Sequence, residues 1–181
     1  MSEQHSSILQ VYLQEYDKLK LEQTKRISFR DNILYVTLGL FGGILSFTIS
    51  ENTNYYSLLC TPWICLILGW TYLVNDEKIS AIGKYIRSVL VENIKKETGS
   101  TDVDFIFAWE TTHKTDRFRV RRKIEQLIID EITFVISGMV SLSAFWLLAS
   151  NIPTVIYILS GIEFLLLLIL GLEIIVYADL T

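Results

Sequence analysis

Two carboxylates stand where carboxylates are costly. Glu163 and Glu173 lie within residues 153–177, an otherwise apolar run long enough to cross a bilayer as one helix. A rise of ~1.5 Å per residue carries Glu163 ~15 Å into that run, near the middle of a ~30 Å hydrocarbon core, and leaves Glu173 at its inner boundary. An ionised side chain at mid-span is unfavourable by roughly 2.5–3.5 kcal/mol on insertion scales. No Lys or Arg occurs in any of the four apolar runs of the chain, so ion pairing inside the membrane is excluded. Three arrangements remain open for Glu163: a protonated side chain hydrogen-bonded to a hydroxyl such as that of Ser46 or Ser141, the lining of a pore built by several copies, or a proton or substrate relay. Glu173 sits ~80° round the helix from Glu163 and is expected at the mouth of any such path. Both are candidate pore or gate residues.

A second set is cationic. Lys114, Arg117, Arg119, Arg121, Arg122 and Lys123 face one acid, Asp116, giving five net positive charges in ten residues, beside Phe105, Phe107, Trp109 and Phe118. Cations interleaved with aromatic rings suit the neutralising of phosphates and the stacking of bases. Trp109, Arg117, Arg119, Arg121, Arg122 and Lys123 are therefore candidates for an anionic nucleotide or oligonucleotide ligand. Basic residues ahead of a span also fix its topology and attract anionic lipid, and steps of ~100° scatter these side chains over several helix faces.

Little else resembles chemistry. Cys60 and Cys65, five apart with Pro62 between them, have neither redox nor zinc spacing and read as buried small hydrophobes. His5 and His113 are isolated, and the sequence contains no phosphate loop, nucleophile elbow or acid/base pair outside the apolar runs. No enzyme activity, cofactor or metal is expected.

The elements that must position these groups follow from patterning. The mean hydropathy is +0.39, and the apolar residues are gathered in blocks, which places the 181-residue chain among membrane proteins. The fold class expected is all-α integral membrane, with four transmembrane helices in two hairpins and an α-helical cytoplasmic layer. Residues 1–31 form an amphipathic helix whose Leu9, Tyr12, Tyr16 and Leu19 make a short stripe that needs a partner, either its own copies or the central loop; lying on the inner membrane surface is the alternative. Residues 32–75 form the first hairpin, with Gly39 and Gly43 at the spacing that lets helices approach closely in lipid. Pro62 predicts a kink. Residues 76–131 form a hydrophilic region that opens with an amphipathic helix ended at Gly99. Residues 102–107 then alternate as either a strand or an ordered loop, and Thr115 or Asp116 caps the next helix. Residues 132–178 form the second hairpin, with Ser137 and Ser141 at the same small-residue spacing. The chain opens on a polar segment, without the apolar stretch of a cleavable signal.

Five of the sixteen basic residues precede Asp31 and eleven lie between Lys78 and Lys123, while the two short turns have none. The positive-inside rule then places both termini and the central loop in the cytoplasm of a multi-pass membrane protein.

Several stretches carry a resemblance. Tyr16-Asp17-Lys18-Leu19-Lys20, Glu22-Gln23, Arg26 to Tyr35, Pro62-Trp63, Leu68 to Ile79, Trp109-Glu110, the Arg-rich run and Phe145-Trp146 resemble small bacterial four-span integral membrane proteins. Some proteins of that general kind act as membrane effectors in antiphage operons of the Hailong type, beside a nucleotidyltransferase that makes an oligonucleotide signal. The resemblance implies an oligomeric channel or membrane-permeabilising effector gated at its cytoplasmic layer, with membrane lipid, copies of itself and a nucleotide ligand as partners. A membrane anchor for a cytoplasmic partner and a small proton-coupled transporter are the alternatives.

Overall fold

A computed structural model describes residues 2–50, 55–99, 103, 107–108, 110 and 118–178, with side chains from residue 7 onward. Among these the chain is all-helical, without strands. Helix α1 spans Ser2–Ile49 without a proline to break it. A 3-10 turn, Tyr55–Leu59, leads into α2, Cys60–Tyr85, so that Pro62, which has no amide to offer the carbonyl of residue 58, falls in the first turn of α2. The chain changes from 3-10 to α geometry just ahead of Pro62. A π turn at Ile86–Leu90 passes into α3, Val91–Thr98. Gly99, at φ 61°, ends it in a left-handed conformation, its amide donating to the Lys95 carbonyl at 2.9 Å.

Helix α4, Arg119–Asp130, continues through a second π turn, Glu131–Ile136, into α5, Ser137–Leu148. After a turn in which Asn151 adopts φ 57°, α6 runs from Thr154 to Tyr177 behind Pro153. Four helices are long and apolar enough to cross a membrane: Ser7–Ile49, Tyr55–Thr98, Arg119–Leu148 and Thr154–Tyr177. The alternating segment 102–107 is described only at Val103 and Phe107. There the Phe107 amide donates to the Val103 carbonyl at 3.0 Å, a helical rather than an extended pairing. Thr115 and Asp116 lie outside the described residues.

The chain divides into two compact units. The first comprises residues 1–29 and 75–120. Its core sets the Leu9, Tyr12, Tyr16 and Leu19 stripe of α1 against Ile86, Leu90, Val91, Ile94, Val103 and Phe107, so the helix finds its partner in the central region of its own chain. Polar contacts fix the pairing. Asn75 donates to the Arg26 carbonyl at 2.7 Å, Gln23 donates to the Ile79 carbonyl at 3.3 Å, and Tyr85 donates to Glu15 at 2.8 Å. Glu110 is buried between the Lys20 ammonium, at 2.9 Å, and the Tyr16 hydroxyl, at 3.3 Å, with the Tyr16 ring edge-on to Phe107.

The second unit comprises residues 30–74 and 121–181. Phe134, Leu142, Phe145, Leu167 and Leu170 are fully buried in its core, with Ile33, Leu66 and Leu73 beside them. Close helix approach depends on glycines. A Cβ on Gly69 would lie 2.7 Å from Leu170, and one on Gly138 would lie 2.8 Å from Leu167. By contrast, a Cβ on Gly39 or Gly43 would meet nothing within 4 Å, so among the described residues no helix approaches that pair closely.

Candidate functional site: a buried carboxylate in the second unit

Helix α6 has inverted polarity. Its outward residues include Val155, Ile158, Leu165, Leu172 and Val176, all exposed, while its buried positions include Ser160, Glu163 and Gly171. Glu163 is 0% exposed, and neither carboxylate oxygen has a hydrogen-bond partner. The indole of Trp63, on α2, is the side-chain donor turned toward it, without closing a bond of normal geometry.

Helix register explains what surrounds this carboxylate. Contacts between Gly138 and Leu167, and between Trp146 and Ser160, fix α5 antiparallel to α6 and bring Leu142 level with Glu163. Leu142 is fully buried and offers no donor. The nearby hydroxyls are committed elsewhere. Ser160 accepts from the Trp146 indole at 2.9 Å and donates to the Tyr157 carbonyl at 3.1 Å.

Ser141 donates to the Leu58 carbonyl at 2.8 Å, and Ser46 is exposed. Neither therefore bonds Glu163. Ser141 instead meets the carbonyl whose α-helical donor would have been the amide of residue 62, a proline. The unit thus satisfies the polar group that Pro62 strands and leaves the Glu163 carboxylate bare. Thr61, 1% exposed, is a further buried hydroxyl without a partner.

The π turn ahead of α5 uses its side chains in a related way. The Ser137 amide and hydroxyl both go to the Ile132 carbonyl, the hydroxyl at 2.8 Å. The Thr133 carbonyl, which loses that amide, is approached by the Cys65 thiol at 3.9 Å. Cys65 is buried as expected, whereas Cys60, at the first position of α2, turns outward and is exposed. Ser137 and Ser141 are buried, and each spends its hydroxyl on a backbone carbonyl, that of Ile132 and that of Leu58.

Elsewhere in the unit, Gln126 donates to the Tyr72 hydroxyl at 2.7 Å and to Asp130 at 2.8 Å. Glu173 is half-buried near the end of α6. Glu131 was read from the sequence only as the last residue of the hydrophilic region. It packs beside Gly171, and its Oε1 is buried without a partner.

In the cationic run, Trp109 and Arg117 lie outside the described residues. Arg121 pairs with Glu125 one turn on, at 2.8 Å. Arg121 and Arg122 are exposed, Arg119 and Lys123 are half-buried, and Arg119, Arg122 and Lys123 each have an interaction of their own. Among the described residues no group of His, Cys, Asp and Glu is arranged to hold a metal ion. No protein-family model matches the sequence, and no curated protein and no solved structure matches it.

Proposed function

We propose that this chain is a four-span integral membrane protein that passes cations, protons foremost, through the interior of its second unit and so permeabilises the membrane. The observation that supports this most is Glu163, a fully buried carboxylate without a hydrogen-bond partner. Burying a polar group without a partner costs several kcal/mol, of order 2–7, and a lone structural carboxylate would have been replaced by leucine at no loss to packing. A group that must receive a proton, a cation or water in order to be satisfied is suited to passing one on. The apolar outward side of α6 suits lipid, and the distribution of basic residues puts the first unit and both termini on the cytoplasmic side.

Two finer parts belong to the same proposal. The open face of α1 at Gly39 and Gly43 suits close approach by another helix, which favours assembly of several copies. The first unit is the gating layer, and the run of Arg119, Arg121, Arg122 and Lys123, at which the chain passes from the first unit into the second, receives an anionic nucleotide. By resemblance to the Hailong-type effectors, that ligand is an oligonucleotide made by a nucleotidyltransferase encoded nearby.

The test is proton flux in liposomes loaded with a pH-sensitive dye under an applied potassium diffusion potential. Wild-type protein, with and without oligonucleotides, is expected to dissipate the gradient, and Glu163→Gln to slow this about tenfold or more. Flux no greater than that of empty vesicles in every condition, or equal flux from Glu163→Gln, refutes the proposal.

A further inference from the structure

Glu163 alone is a station without an exit. It lies ten residues into α6, and a path through the unit needs a second group toward the end marked by Tyr177. Glu173 is the choice the sequence suggests, but the geometry turns it aside. Taking ~100° per residue, the buried positions Ser160, Glu163, Leu167, Leu170, Gly171 and Ile174 cluster around one direction, and Glu173 stands ~110° away from it. Gly171 stands only ~50° from that direction, on the buried side.

What occupies the space beside Gly171 is the Glu131 side chain. A Cβ at Gly171 would come within 3.3 Å of Glu131 Oε2, closer than ordinary side-chain contact, and within 3.4 Å of Val135. Glu131 is also the first residue of the π turn Glu131–Ile136, whose extra residue per turn shifts the phase of the helix at that point. Its Oε1 is buried and has no partner. The neighbouring Asp130 is occupied by Gln126, so the two adjacent carboxylates face different surroundings. Gly171 is two helical turns from Glu163, ~12 Å along α6.

We propose that Glu131, housed by the π turn and by the missing side chain of Gly171, is the inner proton-accepting station that exchanges with Glu163. The inference rests on the cation-passing reading above and names the second residue of that path. One O–H bond breaks at Glu163 and one forms at Glu131, with water carrying the proton over the interval between them. The Glu131 proton then leaves to the inner solvent and Glu163 regains one from the outer solvent, so charge and atoms balance without another reactant. Glutamine keeps the shape of the side chain but cannot take up the proton. Aspartate retains the carboxyl on a shorter arm.

The experiment uses full-length protein in the same proton-loaded liposomes, comparing wild type, Glu163→Gln, Glu131→Gln, Glu131→Asp and, as a surface control, Glu125→Gln. Glu131→Gln is expected to slow flux about tenfold or more, with partial recovery in Glu131→Asp and wild-type flux in Glu125→Gln. Infrared difference spectra of the same proteins supply a readout that does not depend on flux. A carboxyl band absent from Glu131→Gln, distinct from the band absent from Glu163→Gln, should respond to the pH of the medium. Wild-type flux that Glu131→Gln leaves unchanged overturns this inference alone. Absence of wild-type flux overturns the functional reading, and a Glu131 band that then ignores external pH overturns the inference as well.

Discussion

Replacing Ser141 by alanine should destabilise the second unit, and Pro62→Ala should remove most of that penalty. Ser141 is fully buried, and its hydroxyl donates to the Leu58 carbonyl at 2.8 Å. In an α-helix the donor to the carbonyl of residue 58 is the amide of residue 62, and proline has none. An unmet buried carbonyl costs roughly 1–3 kcal/mol. Interhelical hydrogen bonds in membrane bundles average about 0.6 kcal/mol and reach about 1.7. The overlap of the two ranges sets the expected cost of Ser141→Ala at about 1–1.7 kcal/mol. Packing contributes less, because only one oxygen is removed, smaller than a methylene worth ~0.8 kcal/mol. Pro62→Ala returns an amide aimed at the same carbonyl, so in that background Ser141→Ala should cost below ~0.5 kcal/mol. Pro62 is itself fully buried, and the loss of its ring cancels in the double-mutant cycle. The assay is reversible unfolding of the four proteins in mixed micelles by increasing SDS fraction, followed by tryptophan fluorescence. Additivity of the two substitutions within ~0.3–0.5 kcal/mol would show that the serine does not serve the carbonyl freed by the proline.

The same pair of residues shows where sequence reading reaches its limit. Apolar blocks located the four candidate spans because length and hydropathy are properties of a segment alone. Which side of each helix turns inward is a property of neighbours, and there the spacing rules divided. The Gly39 and Gly43 spacing matched a packing motif and meets open space, while Gly69, Gly138 and Gly171 are the glycines that admit another helix closely. Ser141 was legible as a small residue. Its use as a donor depends on Leu58, 83 positions earlier, arriving opposite it. The π turns at Ile86–Leu90 and Glu131–Ile136 were invisible to a reading in steps of 3.6, since each shifts the helix phase by about one residue. Glu131 read as the last residue of the hydrophilic region because it is charged, although its Oε1 is buried. Glu163 was the easier case, because a carboxylate within an unbroken apolar run is conspicuous whatever surrounds it. The amphipathic stripe from Leu9 to Leu19 was equally legible, and only the choice between its own chain and another copy needed coordinates.

Alanine at Gly69 or Gly138 should cost about 1–3 kcal/mol of stability in the monomeric protein, since the new Cβ meets a leucine methyl at 2.7 or 2.8 Å. Gly39→Ala and Gly43→Ala should be neutral or stabilising by up to ~1 kcal/mol through helix propensity. Equal losses at all four positions in micelle unfolding would contradict this placement of the close contacts. In the first unit, Tyr16 makes stability sensitive to alkaline pH. Burial first, and the Glu110 carboxylate second, push its phenol above the ordinary value of 10.0. A phenol that ionises later in the folded than in the unfolded chain contributes stability that is complete below pH 10.0, the unfolded value. That contribution is lost as pH rises from there through the higher folded value, because the unfolded chain gives up its proton first. Tyr85 is shifted in the same direction, chiefly by its hydrogen bond to Glu15, so the wild-type slope contains both phenols. Tyr16→Phe removes one of them and leaves the edge contact of its ring with Phe107 able to form. Hydrogen exchange at Val103 and Phe107, followed from pH 8 to pH 11, should therefore accelerate less steeply above pH 10 in Tyr16→Phe than in wild type, once the intrinsic exchange rate is divided out. Identical slopes would mean that the Tyr16 phenol keeps the same affinity for its proton whether or not the stripe is packed.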